Sequence, residues 1–433
     1  MKRTYRNRTW WLLAVTAALS LSAGSLVAED CIVSTGNVVT LRTKPSGSAP
    51  QGGTLRPGAS LPLGASLPGW YQSTLDGKKV FASKKVAQIS TCPAVSAVTS
   101  GPVFEVHVID VGTGLSVLVH GADFNLLYDA GSNDDTATGD KNRTLAYLNT
   151  LRPPVQKLDH VILSHPHRDH VELMPDVITR LAVGEVWNSG VYNDICGYRN
   201  LLLAIAARPA VKYHTATFDE NAEEAVSLGA KDCYSVQQPP QTVTLKHSKR
   251  IAGEDKIQLG NQARMTFLYA DGSKQANFND NSLVVRLDLG SHRILLMGDA
   301  EAGGRNAPST PAQGIEGDLL TCCASDIQAE VLIVGHHGSK TSSRQNFVKA
   351  VGAKTFVISA GPTKYATVVL PDEEIVTELE GMGQLFRTDL NDGTCGKSME
   401  KVGPKNDDNP GGCDNVLITL PQGNPLTIDY RHP

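Results

Sequence analysis

His165-Pro166-His167-Arg168-Asp169-His170 places three imidazoles and a carboxylate within six residues. Imidazole nitrogen and carboxylate oxygen are the donors that suit a divalent ion such as zinc, and a catalytic zinc site keeps one coordination position open for water. The run follows Leu158-Asp159-His160-Val161-Ile162-Leu163-Ser164, whose Val161-Ile162-Leu163 centre reads as a short buried strand. The cluster therefore sits on the loop that leaves a strand. Alternating histidine and aspartate cannot all face one side of a regular element, but a tight loop can turn them towards two neighbouring ions. The spacing points to a binuclear site.

The rest of the chain must supply the frame for that loop. At 433 residues it is too long for one small core, which suggests two to three domains including one large one. Lys2, Arg3, Arg6 and Arg8 precede an acid-free apolar run from Trp10 to about Ala28, the layout of a secretory signal peptide. Residues 1–28 are read as that signal, with an uncleaved membrane anchor as the alternative. Its removal takes away four basic and no acidic residues, so the formal net charge moves from −4 to −8. A polyanion would meet no general basic attraction. No later stretch is apolar enough to span a bilayer, and the expected location is periplasmic or secreted.

All eight cysteines lie beyond the signal, and an even count in an exported chain argues for disulfides. The natural pairs in chain order are Cys31 with Cys92, Cys196 with Cys233, and Cys395 with Cys413. Adjacent Cys322 and Cys323 bridge each other only with strain, so exchange with distant partners is an open alternative.

Residues 29–92 carry short β-like pieces between turns: Asn37 to Arg42, Pro45-Ser46-Gly47, Gly69-Trp70-Tyr71-Gln72 and Lys79 to Ala82. They resemble the bacterial SH3-like domain, through Leu41-Arg42-Thr43-Lys44-Pro45-Ser46 and Gly69-Trp70. That resemblance implies a small β-barrel with a wall-binding role, set against a structural cap with no ligand. Residues 93–102 are small and rich in Ser and Thr, and read as a linker. From 103 to 433 the pattern becomes a layered α/β protein.

Within that region six motifs follow one another: Asp110-Val111-Gly112-Thr113-Gly114, Leu126 to Gly131, Ser164 to His170, Asn279-Asp280-Asn281-Ser282, Leu296-Met297-Gly298-Asp299-Ala300, and Val334-Gly335-His336-His337-Gly338-Ser339. The series resembles the metallo-β-lactamase superfamily, specifically the hydrolase-like domain of bacterial DNA-internalisation competence proteins. The resemblance extends to Phe386-Arg387-Thr388-Asp389 and Gly393, and it implies an αββα sandwich. Five of the twelve histidines fall in two of these motifs.

The resemblance also implies a division of labour. His165 and His167 would bind one metal, Asp169 and His170 the other, and Asp299 would bridge them. His337 is expected as the remaining ligand of the second metal, with His336 as acid or phosphate contact, although the two could exchange roles. Asp129 is expected to orient a histidine without being a ligand. The cofactor is expected to be two divalent ions, zinc or alternatively manganese.

Two departures from the family pattern matter. Asn281 or Ser282 stands where lactamases and thioesterases of the superfamily place a histidine. The first metal would therefore be bound more weakly, and Asn281 becomes a candidate catalytic residue. Lys364-Tyr365-Ala366-Thr367 replaces the competence family's Tyr-Gly-His-Pro, removing a histidine from the substrate region.

Hydrolysis by an activated water is the implied reaction. Phosphodiesters are the favoured substrate, as an oligonucleotide, a nucleotide or a wall polymer, with Arg168, Ser339 and Lys340 as candidate contacts and Arg344 and Lys364 as further cations nearby. The competing readings are a lactone, lactam or thioester hydrolase, and a non-catalytic wall-binding protein with a degenerate metal site.

Overall fold

Strand Lys157–Leu163 pairs in parallel with Asn125–Ala130 on one edge and Ala182–Asn188 on the other. Such a strand is covered on both faces, which is why its successive apolar residues are all buried. Ile162 faces the central core, whereas Val161 and Leu163 face an outer one. This computed structural model describes residues 30–35, 39–55, 60–75, 78–91, 103–136, 138–396, 398–404 and 409–431. The expected signal 1–28, Cys92 and the expected linker 93–102 lie outside them. The chain divides into two units between Thr99 and Ser100.

The larger unit is an αββα sandwich. Its first sheet has eight strands, in the order Lys212–Thr215, Ala182–Asn188, Lys157–Leu163, Asn125–Ala130, Ser116–His120, Val103–Val108, Val416–Pro421 and Thr427–Tyr430. The second has seven: Lys256–Gly260, Ala263–Tyr269, Val284–Leu289, His292–Leu296, Val331–Ile333, Thr355–Ile358 and Gln384–Arg387. Between the sheets lies a dry core that includes Tyr128, Ile162, Phe267, Val285, Ile294 and Ile333. Helices Met174–Arg180 and Cys196–Ala206 cover the outer face of the first sheet. Helices Gly314–Cys322, Gln345–Val351 and Glu373–Met382 cover the second.

This arrangement positions the motifs. The loops after Leu163, Leu296, Ile333 and Ile358 all leave the carboxyl ends of strands with parallel neighbours, where open α/β sheets hold their ligands. Gly131 must be glycine there, because a Cβ would lie 2.2 Å from the His170 backbone nitrogen. Gly298, with φ at +55°, lets the next residue turn inwards beside Ser164.

Glu316 clamps the second sheet's loop from below, its carboxylate accepting from the Ser343 and Arg344 backbone nitrogens. Burial pushes its carboxyl up to about 8, against the opposing pull of those bonds and of Arg344. The folded state thus holds this proton more tightly than the unfolded chain. Glu316's contribution is fully present below about pH 4.5 and is lost as pH rises through about 8. Denaturant midpoints measured from acid to alkaline pH are expected to fall in the parent and to flatten in Glu316→Gln.

Cys196 is bonded to Cys233 and Cys395 to Cys413, with S–S distances of 2.08 and 2.07 Å. Cys322 and Cys323 are bonded to each other rather than to distant partners. The expected Cys31–Cys92 pair falls partly outside the described residues. In the smaller unit, five antiparallel strands (Gln51–Leu55, Val39–Arg42, Lys78–Ser83, Trp70–Leu75, Ala65–Leu67) and three more (Ser60–Pro62, Asp30–Ser34, Ala87–Thr91) enclose Ile32, Val39, Leu41, Leu55 and Val80. Among the described residues no helix is long and apolar enough to cross a membrane.

Candidate metal centre

The histidine cluster is half loop and half helix: a turn of helix begins at Arg168, with His167 at its N-cap. That change of direction separates the donors. His165 and His167 form one group with Asp299, and Asp169 and His170 form another with His337; within each group the donor atoms lie within 4.8 Å of one another. Asp299 stands between the groups. Its Oδ2 is 3.6 Å from His165 Nε2, while its Oδ1 is 3.1 Å from His170 Nε2 and 3.6 Å from His337 Nε2.

The surrounding hydrogen bonds decide which ring nitrogens face inwards. His170 Nδ1 donates to Asp129 Oδ2 at 2.8 Å, and His337 Nδ1 donates to the Ser359 carbonyl at 2.7 Å. Each ring therefore turns its Nε2 into the centre, and the two are only 3.2 Å apart. His165 Nε2 and His167 Nδ1 lie 2.9 Å apart. Ring nitrogens this close are held either by a shared proton or by a cation between them. Asp299 Oδ1 is moreover buried with no hydrogen-bond partner. The donor set thus fits two divalent cations, with Asp299 shared between them.

Burial opposes charge on His170, but Asp299 and Asp129 outweigh it and raise its proton affinity, so a proton stands at this ring where a cation would otherwise be held. Burial holds His165 well below its ordinary value, so this ring is neutral and able to ligate. Burial also opposes the charge on Asp299, but His170, His337, His336 and His165 outweigh it and keep the carboxyl well below its usual range. Asp169 is lowered too, because contacts with His337 and His170 overcome its burial.

Asp129, with φ at 57°, accepts from both the backbone and the hydroxyl of Ser164 as well as from His170. Ser164 Oγ in turn lies 3.0 Å from His165 Nδ1, so one carboxylate steadies a histidine in each group. Residues of this kind are worth roughly 10- to 100-fold in metal affinity. Asp129→Asn is expected to lose that much in a chelator competition while remaining folded by circular dichroism.

His336 and His337 both occupy the left-handed region, with φ at 47° and 52°. Such backbone costs about 1–3 kcal/mol per residue and persists only where the surroundings enforce it. Here His336 N donates to the Gly298 carbonyl at 3.0 Å and Ser342 Oγ to that of Gly335 at 2.7 Å. The turn separates the two rings. His337 faces the second group, while His336 Nδ1 lies 2.9 Å from Glu301 and its Nε2 lies 3.9 Å from Asp299 Oδ2. Burial opposes charge on His336, but Asp299 and Glu301 outweigh it and raise its proton affinity.

Four expectations from the sequence are corrected. Asn281 is fully buried, and its amide donates to the carbonyls of Asp271 and Ser273, so it fastens a loop; Asn279 is the residue that approaches His336, at 3.4 Å. Ser339 is also buried, its hydroxyl accepting from Arg305 and Thr341. Lys340 is paired with Glu374 at 2.6 Å, away from the donors. Arg344 is spent on the carbonyls of Gly304, Asn306 and Ala307. Arg168 remains exposed, with Glu172 3.7 Å away, and Lys364 is exposed beside Tyr365.

Three groups escaped the sequence reading. Glu301 accepts from Asn277 and Asn279 and backs His336; its signal was a carboxylate two residues beyond Asp299. Asn279 lay within a recognised motif, one residue pair from the Asn chosen. Tyr365, noted only for the histidine missing beside it, donates to Asp169 Oδ2 and stacks on His337 with ring centres 5.9 Å apart.

Residues 109–195 match the metallo-beta-lactamase superfamily. Competence protein ComA of Neisseria gonorrhoeae is 29% identical over 66% of this chain and 31% of its own length. Recombination protein 2 of Haemophilus influenzae is 25% identical over 60% of this chain and 25% of its own. The chain thus spans less than a third of the length of these relatives. Among solved structures, the metallo-beta-lactamase fold protein YhfI from Bacillus subtilis is 14% identical, aligning 66% of this chain with 96% of that one at a TM-score of 0.36. The chain carries a metallo-beta-lactamase superfamily domain and is homologous to bacterial competence proteins.

Proposed function

We propose that this chain is an exported, two-metal phosphodiester hydrolase. The observation that carries the reading is the shared Asp299, one oxygen turned to each group of histidines. Divalent cations held there supply a Lewis acid and an activated water. The protein's own residues supply the rest. Asp129 and Ser359 hold His170 and His337 in the ligating tautomer. His336, whose proton affinity Asp299 and Glu301 raise against its burial, is aimed towards Asp299 Oδ2 and is the acid that gives a proton to the leaving oxygen. Arg168 at the rim offers a guanidinium to a flanking phosphate.

The phosphodiester class rests on relatives named for competence and recombination, and on a first group that holds His165, His167 and Asp299 without a third histidine. Export rests on the basic-then-apolar leader. The SH3-like resemblance of the smaller unit suggests a cell-wall ligand that keeps the hydrolase near its substrate.

The test is a substrate panel with purified mature protein in zinc or manganese: bis-p-nitrophenyl phosphate, single-stranded DNA, nitrocefin and a lactone. Phosphodiester turnover is expected. Activity confined to the lactam or lactone would sink the reading. Fewer than one bound ion per chain with no turnover would favour a binding protein.

A further inference from the structure

The insertion between the two sheets ends in a hairpin, Lys231–Cys233 against Val236–Gln238, whose two-residue turn is Tyr234-Ser235. Both turn residues are left-handed, with φ at 58° and 63°. Asn-Gly fills such turns without strain, and a tyrosine there costs stability. The hairpin is nevertheless fixed: Cys233 is bonded to Cys196 on the neighbouring helix, and the Tyr234 hydroxyl donates to Glu172. Glu172 is buried, directly follows the helical turn that carries Asp169 and His170, and also faces Arg168 at 3.7 Å. One carboxylate therefore orients both a phenol and a guanidinium at the rim. With its polar end anchored, Tyr234 is still 49% exposed, beside Val236 at 58%.

We propose that Tyr234 is a stacking platform for a nucleobase of a single-stranded oligonucleotide whose adjoining phosphate pairs with Arg168. The proposal rests on the phosphodiester reading and narrows it to nucleic acid. An aromatic face next to a guanidinium is the recurring means of holding an unpaired strand, because every base has a π-face while the phosphate supplies the charge. It also explains how an acidic protein can hold a polyanion, through local contacts rather than net charge.

The test is fluorescence anisotropy of a labelled short oligothymidylate with cleavage-resistant phosphorothioate linkages, and of its abasic counterpart, on the metal-loaded mature protein. Tyr234→Ala is expected to weaken oligothymidylate binding by roughly 5- to 150-fold, with little change for the abasic strand. Tyr234→Phe, which keeps the ring, should retain most of the affinity, and Arg168→Gln should weaken both strands alike. Equal binding of the two strands by the parent protein, or Tyr234-dependent binding of an amino-sugar oligomer alone, would overturn the platform. So would Tyr234→Ala binding oligothymidylate as the parent does while bis-p-nitrophenyl phosphate is turned over, which leaves the hydrolase reading standing. Base-dependent binding through Tyr234 without turnover of any phosphodiester supports the platform and removes the hydrolase reading.

Discussion

Replacing Asp299 by alanine is expected to lower phosphodiester turnover by about 10³-fold or more and to bring bound metal from two ions per chain to no more than one. The reason is its position. No other described side chain approaches histidines of both groups through two different oxygens. Without it the first group retains only His165 and His167, and the second loses its fourth donor. The pocket would also carry one buried negative charge fewer against two dications. Asp299→Asn keeps the shape, since the Asp299 backbone donates to Ser282 Oγ at 3.1 Å in either case. It should fail almost as badly, which separates lost charge from lost structure. Turnover within tenfold of the parent, with both metals retained, would show that Asp299 does not bridge.

Stripping the metals is the second change of large effect. At a free metal concentration one hundred times the dissociation constant, each ion adds about 2.7 kcal/mol to the folded state. A kcal/mol moves the melting temperature of a domain this large by about 2 °C or less, so two ions correspond to a loss of up to roughly 10 °C in excess chelator. The structure supplies the cause: ring nitrogens in pairs 2.9 and 3.2 Å apart crowd a buried carboxylate whose Oδ1 has no hydrogen-bond partner. The loss should come in two steps. Asp169, His170, His337 and Asp299 Oδ1 give the second group four donors, whereas the first has three. Differential scanning fluorimetry against chelator concentration checks this, with zinc restoring the second group first. A single step would mean that the two sites are equal.

Much of this centre was legible in the residues. A buried strand ending in Ser164 had to deliver His165 to His170 onto a loop, and the apolar strands before Asp299 and His336 had to do likewise. Spacing pointed to two neighbouring ions, and the family resemblance divided the ligands between them. Neither could resolve matters decided by a single turn of backbone. Asn279 and Asn281 are indistinguishable by type, and only the short helical turn Phe278–Asn281 aims the first at His336 and the second at a loop. Lys340 and Arg344 sit beside a motif, as substrate contacts would, but Glu374 and the carbonyls that engage them arrive from segments distant in sequence. Glu301 and Tyr365 were unreadable for the same reason, since a carboxylate or a phenol acquires its role from the atom it meets. Tyr234 lies in an insertion outside every motif, and only the folded hairpin brings it to Glu172.

The central claim is that two cations share Asp299, and anomalous diffraction at the metal's absorption edge, on crystals of the mature protein, tests it most directly. The account predicts two peaks about 3.5–4 Å apart, one against His165 and His167 and the other against Asp169, His170 and His337, with Asp299 touching both. A single peak, or two that leave Asp299 without a metal contact, would contradict it.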